Sequence, residues 1–280
     1  MKHAFMIIAH NEFVILQRLI SALDDERVDI YVHIDKKVRE MPVLHANHAG
    51  LFILQNRVDV RWGHVSQIEC EYALFREAYK PGEYCFYHLI SGVHLPLKGI
   101  EDILSYYESC IGRNILPHLD CNDQYQMDLK VRRYNLLIKW FGYGPKWLQR
   151  CVQLFWRANH SFQKLLGITF NSACDFRVSS NWVSLSEDAL SYIISRFEYS
   201  MRLFQYSFCG DEWFIATLLF HSEFKDSIVS PDCILLCSIG DCNAITFTTK
   251  DRDLLLSSNC LWARKFSSES MAIVDEILSR

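Results

Sequence analysis

Two periods of apolar and polar positions run along this chain, and the changes between them mark its elements. Residues 4–9 read AFMIIA, an unbroken apolar run of strand length. A strand that is apolar at every position is buried on both faces, as in a parallel sheet. The run ends in His10-Asn11, where Asn11 predicts an N-cap and Glu12 suits a first helical turn. Leu16, Leu19, Ile20 and Leu23 then recur at helical spacing. Residues 30–34 (IYVHI) predict a second strand, closed by Asp35-Lys36-Lys37, and residues 51–54 a shorter third. Ser66 and Glu69 match a capping box, followed by the helical stripe Ile68, Tyr72, Phe75 and Tyr79. Residues 84–90 predict another strand, ending in Ser91-Gly92. Strand, helix and strand in this order predict an α/β fold, a mostly parallel sheet flanked by helices.

The middle of the chain breaks the pattern. From 129 to 174 there is no Asp or Glu, but there are eight basic residues: Lys130, Arg132, Arg133, Lys139, Lys146, Arg150, Arg157 and Lys164. Trp140, Trp147 and Trp156 lie among them, with Phe141, Leu148, Phe155 and Phe162. Cations interleaved with Trp, Phe and Leu are the composition of a segment that rests on an anionic membrane surface. We expect a basic, aromatic helical insertion here. Periodic structure then returns. Residues 182–185 predict a strand, and Ser186 caps a helix whose first turn holds Glu187 and Asp188. Asp211-Glu212 opens the apolar helix WFIATLLF. Residues 233–239 predict a short buried strand, Asp251 a helix cap, and residues 271–278 an amphipathic helix. With no repeat, low-complexity tract or composition shift, the expectation is one domain over residues 1–280.

Composition narrows the functional class. Half the residues are hydrophobic and 22% charged, which supplies a large core and excludes a mostly disordered chain. The net charge of −4 speaks against a general nucleic-acid partner. The 11 cysteines form no C-x-x-C pair and are read as reduced, buried small hydrophobes of a cytosolic protein, without zinc spacing. Apolar runs fall far short of the ~20 residues that span a membrane. The N-terminal run lacks a small-residue cleavage site and is read as a strand, not a signal peptide. Absence of G-x-G-x-x-G and of a Walker A motif argues against dinucleotide and P-loop enzymes.

Candidate chemistry gathers at the predicted strand ends: His10-Asn11, His33-x-Asp35 and Ser91-Gly92-Val93-His94. In open α/β sheets, ligands bind beyond the carboxyl ends of the strands. Asp211-Glu212 is a pair of adjacent carboxylates at a helix N-terminus, where a carboxylate is placed for general-base work, with helix dipole and burial pulling its pKa in opposite directions. Asp251-Arg252-Asp253 offers two hard oxygen ligands of a D-x-D type, although it reads better as a helix cap. Arg264-Lys265, close after Trp262, is a basic pair able to clamp a diphosphate.

Together these blocks resemble the core-2/I-branching β-1,6-N-acetylglucosaminyltransferases, a family shared with peptide O-xylosyltransferases. His10-Asn11-Glu12 and Val32-His33-Ile34-Asp35-Lys36-Lys37 resemble its opening block. Val60-Arg61-Trp62-Gly63 resembles its V-x-W-G turn, and YHLISGVHLPL its LSG-x-D-x-P-L block, with His94 in place of the Asp. Ser179-Ser180-Asn181-Trp182, Asp211-Glu212 and Ala263-Arg264-Lys265-Phe266 complete the series. The resemblance implies a GT-A-like fold and an inverting transfer from a UDP-sugar, GlcNAc in the first place, to a glycan hydroxyl. It implies no metal and no cofactor, the UDP-sugar being a substrate. Glu212 maps onto the general base with Asp211 as its neighbour. His10, Asn11, Asp35, Trp182, Arg264 and Lys265 map onto the donor side, and Lys130, Arg132 and Arg133 onto the acceptor side. Compactness resembles bacterial members that build surface polysaccharide on lipid-linked acceptors, at the inner face of the cytoplasmic membrane. The alternatives are another donor (xylose, galactose or glucose), a non-catalytic glycan- or lipid-binding scaffold, and a metal-dependent transferase using Asp251 and Asp253.

Overall fold

The computed structural model describes residues 1–119, 124–237 and 244–279. Its strands are β1 (His3–Ala9), β2 (Val28–Ile34), β3 (Gly50–Ile53), β4 (Phe86–Ser91), β5 (His94–Pro96), β6 (Asn114–Ile115), β7 (Ser184–Leu185), β8 (Ile228–Val229), β9 (Leu235–Cys237) and β10 (Trp262–Arg264). The helices are α1 (Phe13–Ala22), α2 (Ser66–Ala78), α3 (Ile100–Ser109), α4 (Gln124–Lys130), α5 (Lys146–Leu165), α6 (Glu187–Ser195), α7 (Phe197–Phe204), α8 (Asp211–Phe220), α9 (Arg252–Ser257) and α10 (Met271–Leu278).

Seven strands form the main sheet in the order β3-β2-β1-β4-β7-β6-β8. All its pairings are parallel except those of β7, which runs against both β4 and β6. The mostly parallel α/β expectation therefore holds. A small second sheet, β5-β10-β9, carries the C-terminal motif.

The unbroken apolar run of β1 is explained by its two covers. Phe5, Ile7 and Ala9 enter one core with α1, α3 and α10, while Ala4 and Met6 enter another with α2, α6 and α8. Side chains alternate across a strand, so a sheet covered on both sides needs apolar residues at every position. The chain leaves β1 toward β2 and β3, then returns to β4 on the opposite side. That reversal makes the carboxyl ends of β1 and β4 the switch point at which open α/β sheets bind ligands.

Local signals were read with mixed success. Ser186 caps α6 by accepting from the Ala189 N–H, and α10 spans the expected residues. Asn11 is not the cap of α1. Glu12 takes that place in the left-handed region, φ 52°, while its carboxylate accepts from Ser268 N–H at 2.7 Å. The expected capping box at Ser66 does not form, because Ser66 already lies inside α2 and its hydroxyl accepts from Arg61 N–H at 2.9 Å. The strand expected over 182–185 starts only at Ser184. Trp182 N–H instead donates to the Ser180 hydroxyl, at 3.2 Å. Of the strand expected over 233–239, β9 is present, and residues 238 and 239 lie outside the described residues.

Nine described cysteines are free thiols, but only Cys70 and Cys209 are buried and Cys151 is exposed. The expectation that all are core residues is thus corrected; Cys121 and Cys242 lie outside the described residues. Among the described residues no helix is long and apolar enough to cross a membrane.

Candidate active site

The carboxylate pair begins α8 and is held by a turn far away in sequence. Gly63 sits at φ 73°, and a Cβ there would lie 2.4 Å from the Phe208 ring, so only glycine fits. Its carbonyl accepts from Cys209 N–H at 2.9 Å, and its own N–H donates to the Gln67 side-chain oxygen. The amide of Gln67 then donates to Asp211 Oδ2 at 2.7 Å. Asn181 donates to the same oxygen at 3.2 Å. The W-G turn, the start of α2 and the Asp-Glu pair are one hydrogen-bonded unit.

The two carboxyls have different surroundings. Asp211 is buried, and its Oδ1 has no partner among the described residues. Burial, with the charge of Glu212 adding to it, pushes Asp211 up to about 7. Desolvation therefore outweighs the backbone N–H groups at the helix start. One turn beyond Gln67 lies Glu71, wholly buried, with neither oxygen partnered among the described residues. Burial, and then the charge of Asp211, pushes Glu71 well above the usual carboxylate range. Glu212 instead has a side chain 39% exposed, and Lys130 Nζ lies 2.7 Å from its Oε2. Burial pulls Lys130 down, the Glu212 carboxylate pulls it up, and the carboxylate wins, so Lys130 is a cation. The pair is a charge-assisted hydrogen bond at the edge of solvent.

A second cluster stands at the strand ends. Asp35, just past β2, is buried and accepts from Lys37 twice, from its N–H at 2.8 Å and its Nζ at 2.7 Å. Lys37 continues to Asp59 at 3.2 Å, which pairs with Arg61 at 2.7 Å. Arg61 lies over the Tyr143 ring, 4.4 Å from its centroid. His10 follows β1. Burial lowers its pKa, Asp35 opposes this, and Lys37, Arg264 and Lys265 lower it further, so these groups share one field.

Arg264 connects the clusters. It lies opposite His94 in the β10–β5 register and over the Trp182 ring, 5.0 Å from its centroid. Burial pulls Arg264 down, while Cys237, Asp211 and Glu212 pull it up. Asn181 and Trp182, adjacent in sequence, thus hold Asp211 on one side and Arg264 on the other. His94 is buried; its Nδ1 accepts from Ser91 N–H at 3.0 Å, with the Ser91 hydroxyl 2.8 Å away. Burial, reinforced by the charge of Arg264, drives His94 well below the usual imidazole range, so it is neutral.

The structure therefore brings Asp211, Glu212, Lys130, Trp182 and Arg264 together, with His10, Asp35 and Lys265 beyond them. Asn11 is exposed, as is the adjacent His10. Arg133 is tied to Asp128 at 2.9 Å and to the Ile168 carbonyl at 2.6 Å, and holds the insertion together. Arg132 reaches the Cys174 carbonyl at 3.5 Å, with its Nε buried and unpartnered among the described residues. Asp251 is committed to Thr248 in a capping box, and Asp253 is almost fully exposed beside Arg252. Sequence reasoning missed Gln67, Asn181, Glu71 and Lys37. Asn181 stood inside the S-S-N-W block, and Gln67 inside the stretch read as a capping box. Lys130, expected on the acceptor side, is paired with Glu212.

The profile of the Core-2/I-Branching enzyme family matches residues 3–236. No curated protein sequence matches the chain. Among solved structures, mouse xyloside xylosyltransferase 1 in its apo form superposes with a TM-score of 0.42 at 11% identity. The match covers 94% of this chain and 96% of that one. The family match runs from β1 into β9, and so includes the carboxylate pair, the W-G turn, His10 and Asp35, while Arg264 and Lys265 lie beyond it. The sheet is mostly parallel, with β7 as its one reversed strand. The chain belongs to the Core-2/I-Branching enzyme family and is a glycosyltransferase of that type.

Proposed function

We propose that the protein transfers a sugar, GlcNAc, from a UDP-sugar to a hydroxyl of a glycan acceptor, with inversion and without a metal. The observation that carries this is the asymmetry of the Asp211-Glu212 pair. Asp211 is buried and fixed by Gln67 and Asn181, whereas Glu212 reaches solvent and is held by one cation through one oxygen. Among the described residues its Oε1 has no hydrogen-bond partner, which leaves it for an acceptor hydroxyl.

The hydroxyl proton passes to the Glu212 carboxylate as the hydroxyl oxygen bonds to the anomeric carbon. The bond from that carbon to the β-phosphate oxygen breaks, and UDP leaves with the electron pair. Arg264 and Lys265 supply the charge that neutralises the diphosphate. Trp182 supports Arg264 and walls the sugar side. His10 and Asp35 serve the nucleotide end, and Lys130 orients Glu212 next to the acceptor. The acceptor we propose is lipid-linked, in bacterial surface polysaccharide synthesis at the inner face of the cytoplasmic membrane.

Glu212→Gln keeps the shape and removes the base. Donor binding should persist while turnover falls ~10²–10⁴-fold. Near-normal turnover would refute the assignment. Full activity in EDTA is expected, and its loss would return the D-x-D reading. A second reading, another UDP-sugar as donor, is favoured by His94, a neutral imidazole beside Arg264 where the family pattern has Asp. A screen of UDP-GlcNAc, UDP-xylose, UDP-galactose and UDP-glucose separates the two.

A further inference from the structure

Helix α5 is fastened to the protein largely by polar contacts and turns an apolar stripe toward solvent. On its inner side, Trp156 Nε1 and His160 Nε2 both donate to Asn135 Oδ1 at 2.8 Å. Asn159 donates to the Tyr134 carbonyl at 2.7 Å, and Gln163 brackets the Tyr134 backbone at 2.8 and 2.9 Å. On its outer side, Trp147, Leu154 and Leu165 are 67%, 65% and 82% exposed, and Phe155 and Phe162 are exposed as well. At ~100° per residue these five fall within an arc of about 100°. Lys146, Arg150, Arg157 and Lys164 fall within about 40° of one another, directly beside that arc. Among the described residues none of the four forms an ion pair. A helix covering a core has the opposite arrangement, with its apolar stripe inward.

We propose that α5 lies flat on an anionic lipid bilayer. Trp147, Leu154, Phe155, Phe162 and Leu165 enter the boundary between headgroups and acyl chains, and the four cations meet the headgroups. Charge complementarity selects this occupant: the helix combines an apolar stripe with a flanking row of unpaired cations, and residues 129–174 contain no acid. The helix also touches the site. Trp156 packs on Phe208, 5.8 Å between ring centroids, and Phe208 N–H donates to the Lys130 carbonyl at 2.7 Å. Docking through α5 thus brings the Lys130–Glu212 pair close to the membrane, where a lipid-linked acceptor presents its sugar. This last step rests on the proposed function; the docking itself does not.

The test uses the full chain, without donor, in flotation with phosphatidylglycerol-containing vesicles and with pure phosphatidylcholine vesicles, at low and high salt. Binding to the anionic vesicles that falls with salt is expected. It should weaken at least roughly tenfold in Arg150→Glu/Arg157→Glu, and comparably in Phe155→Ser/Phe162→Ser. Thermal melts confirm that the variants are folded, and transfer to a soluble acceptor should be unchanged. Lack of binding, or equal binding to neutral vesicles, overturns the proposal. Self-association in sedimentation that Phe155→Ser/Phe162→Ser abolishes overturns it too, and makes a second copy the occupant. Retained transfer with failed docking removes only the docking; retained docking with failed transfer removes only the catalytic reading.

Discussion

The parallel strands β1, β2 and β4 and the helix α5 are both rich in apolar residues, and they use them in opposite ways. The strands are buried along nearly their whole length, with apolar side chains in two cores. Helix α5 buries Val152 and Gln163 and turns Trp147, Leu154, Phe155, Phe162 and Leu165 outward, fastened by the hydrogen bonds of Asn135 and Tyr134. Hydrophobic burial holds the first region and satisfied polar contacts hold the second. An apolar residue in this sequence is therefore evidence of a packing surface, but only the fold says whether the protein itself fills it.

The sharpest test pairs equivalent truncations. Ile7→Ala removes a fully buried strand residue and should cost ~2–5 kcal/mol in urea denaturation. Leu154→Ala, on the outer face of α5, should stay within about 0.5 kcal/mol. A Leu154 cost near that of Ile7 would show that α5 packs its apolar face on the protein and would end the comparison.

Burial also governs the charges of the sheet region. Asp211 has an unfolded value of 3.8 and is held at about 7 in the fold, so the folded state retains its proton more readily. That contribution to stability is complete below pH 3.8 and is lost as pH rises through about 7. It is on the order of a few kcal/mol, at ~1.4 kcal/mol per pK unit. His3 and His33, buried and lowered to about 4, act oppositely: their contribution is present above 6.5 and lost as pH falls through about 4. Melting curves of Asp211→Asn against pH should therefore lose less stability than the parent between pH 4 and 7. Parallel curves would mean that Asp211 is not protonated in the fold.

A smaller effect is expected at the polar anchor of α5. Asn135→Ala leaves Trp156 Nε1, His160 and the carbonyls of Leu129, Lys130 and Arg133 short of a partner. The cost should be ~1–3 kcal/mol. Amide exchange should rise in α5 and stay slow in β1; an equal rise in both would mean that the two regions unfold as one.

Much of the sheet was legible because its signals are local. The runs AFMIIA and IYVHI state two-sided burial, and Asp211-Glu212 before WFIATLLF states a helix start. The failures are also physical. Asn11 and Ser66 have the chemistry of caps, but tertiary contacts at Ser268 and Arg61 claimed Glu12 and Ser66 first. Arg132 and Arg133 look like Lys130 in sequence. Only Lys130 meets Glu212, because Arg133 is spent on Asp128.

What the sequence determined by itself is the alternation of strand and helix, the layered sheet and the carboxylate pair at a helix start, since each depends on neighbours within a few residues. The tertiary structure alone decided which partners those residues meet. Gln67 reaches Asp211 over 144 positions and Lys130 reaches Glu212 over 82. It also decided that the apolar face of α5 looks outward. Periodicity fixes which side chains share a face; what the face lands on is set by long-range packing, which no local pattern encodes.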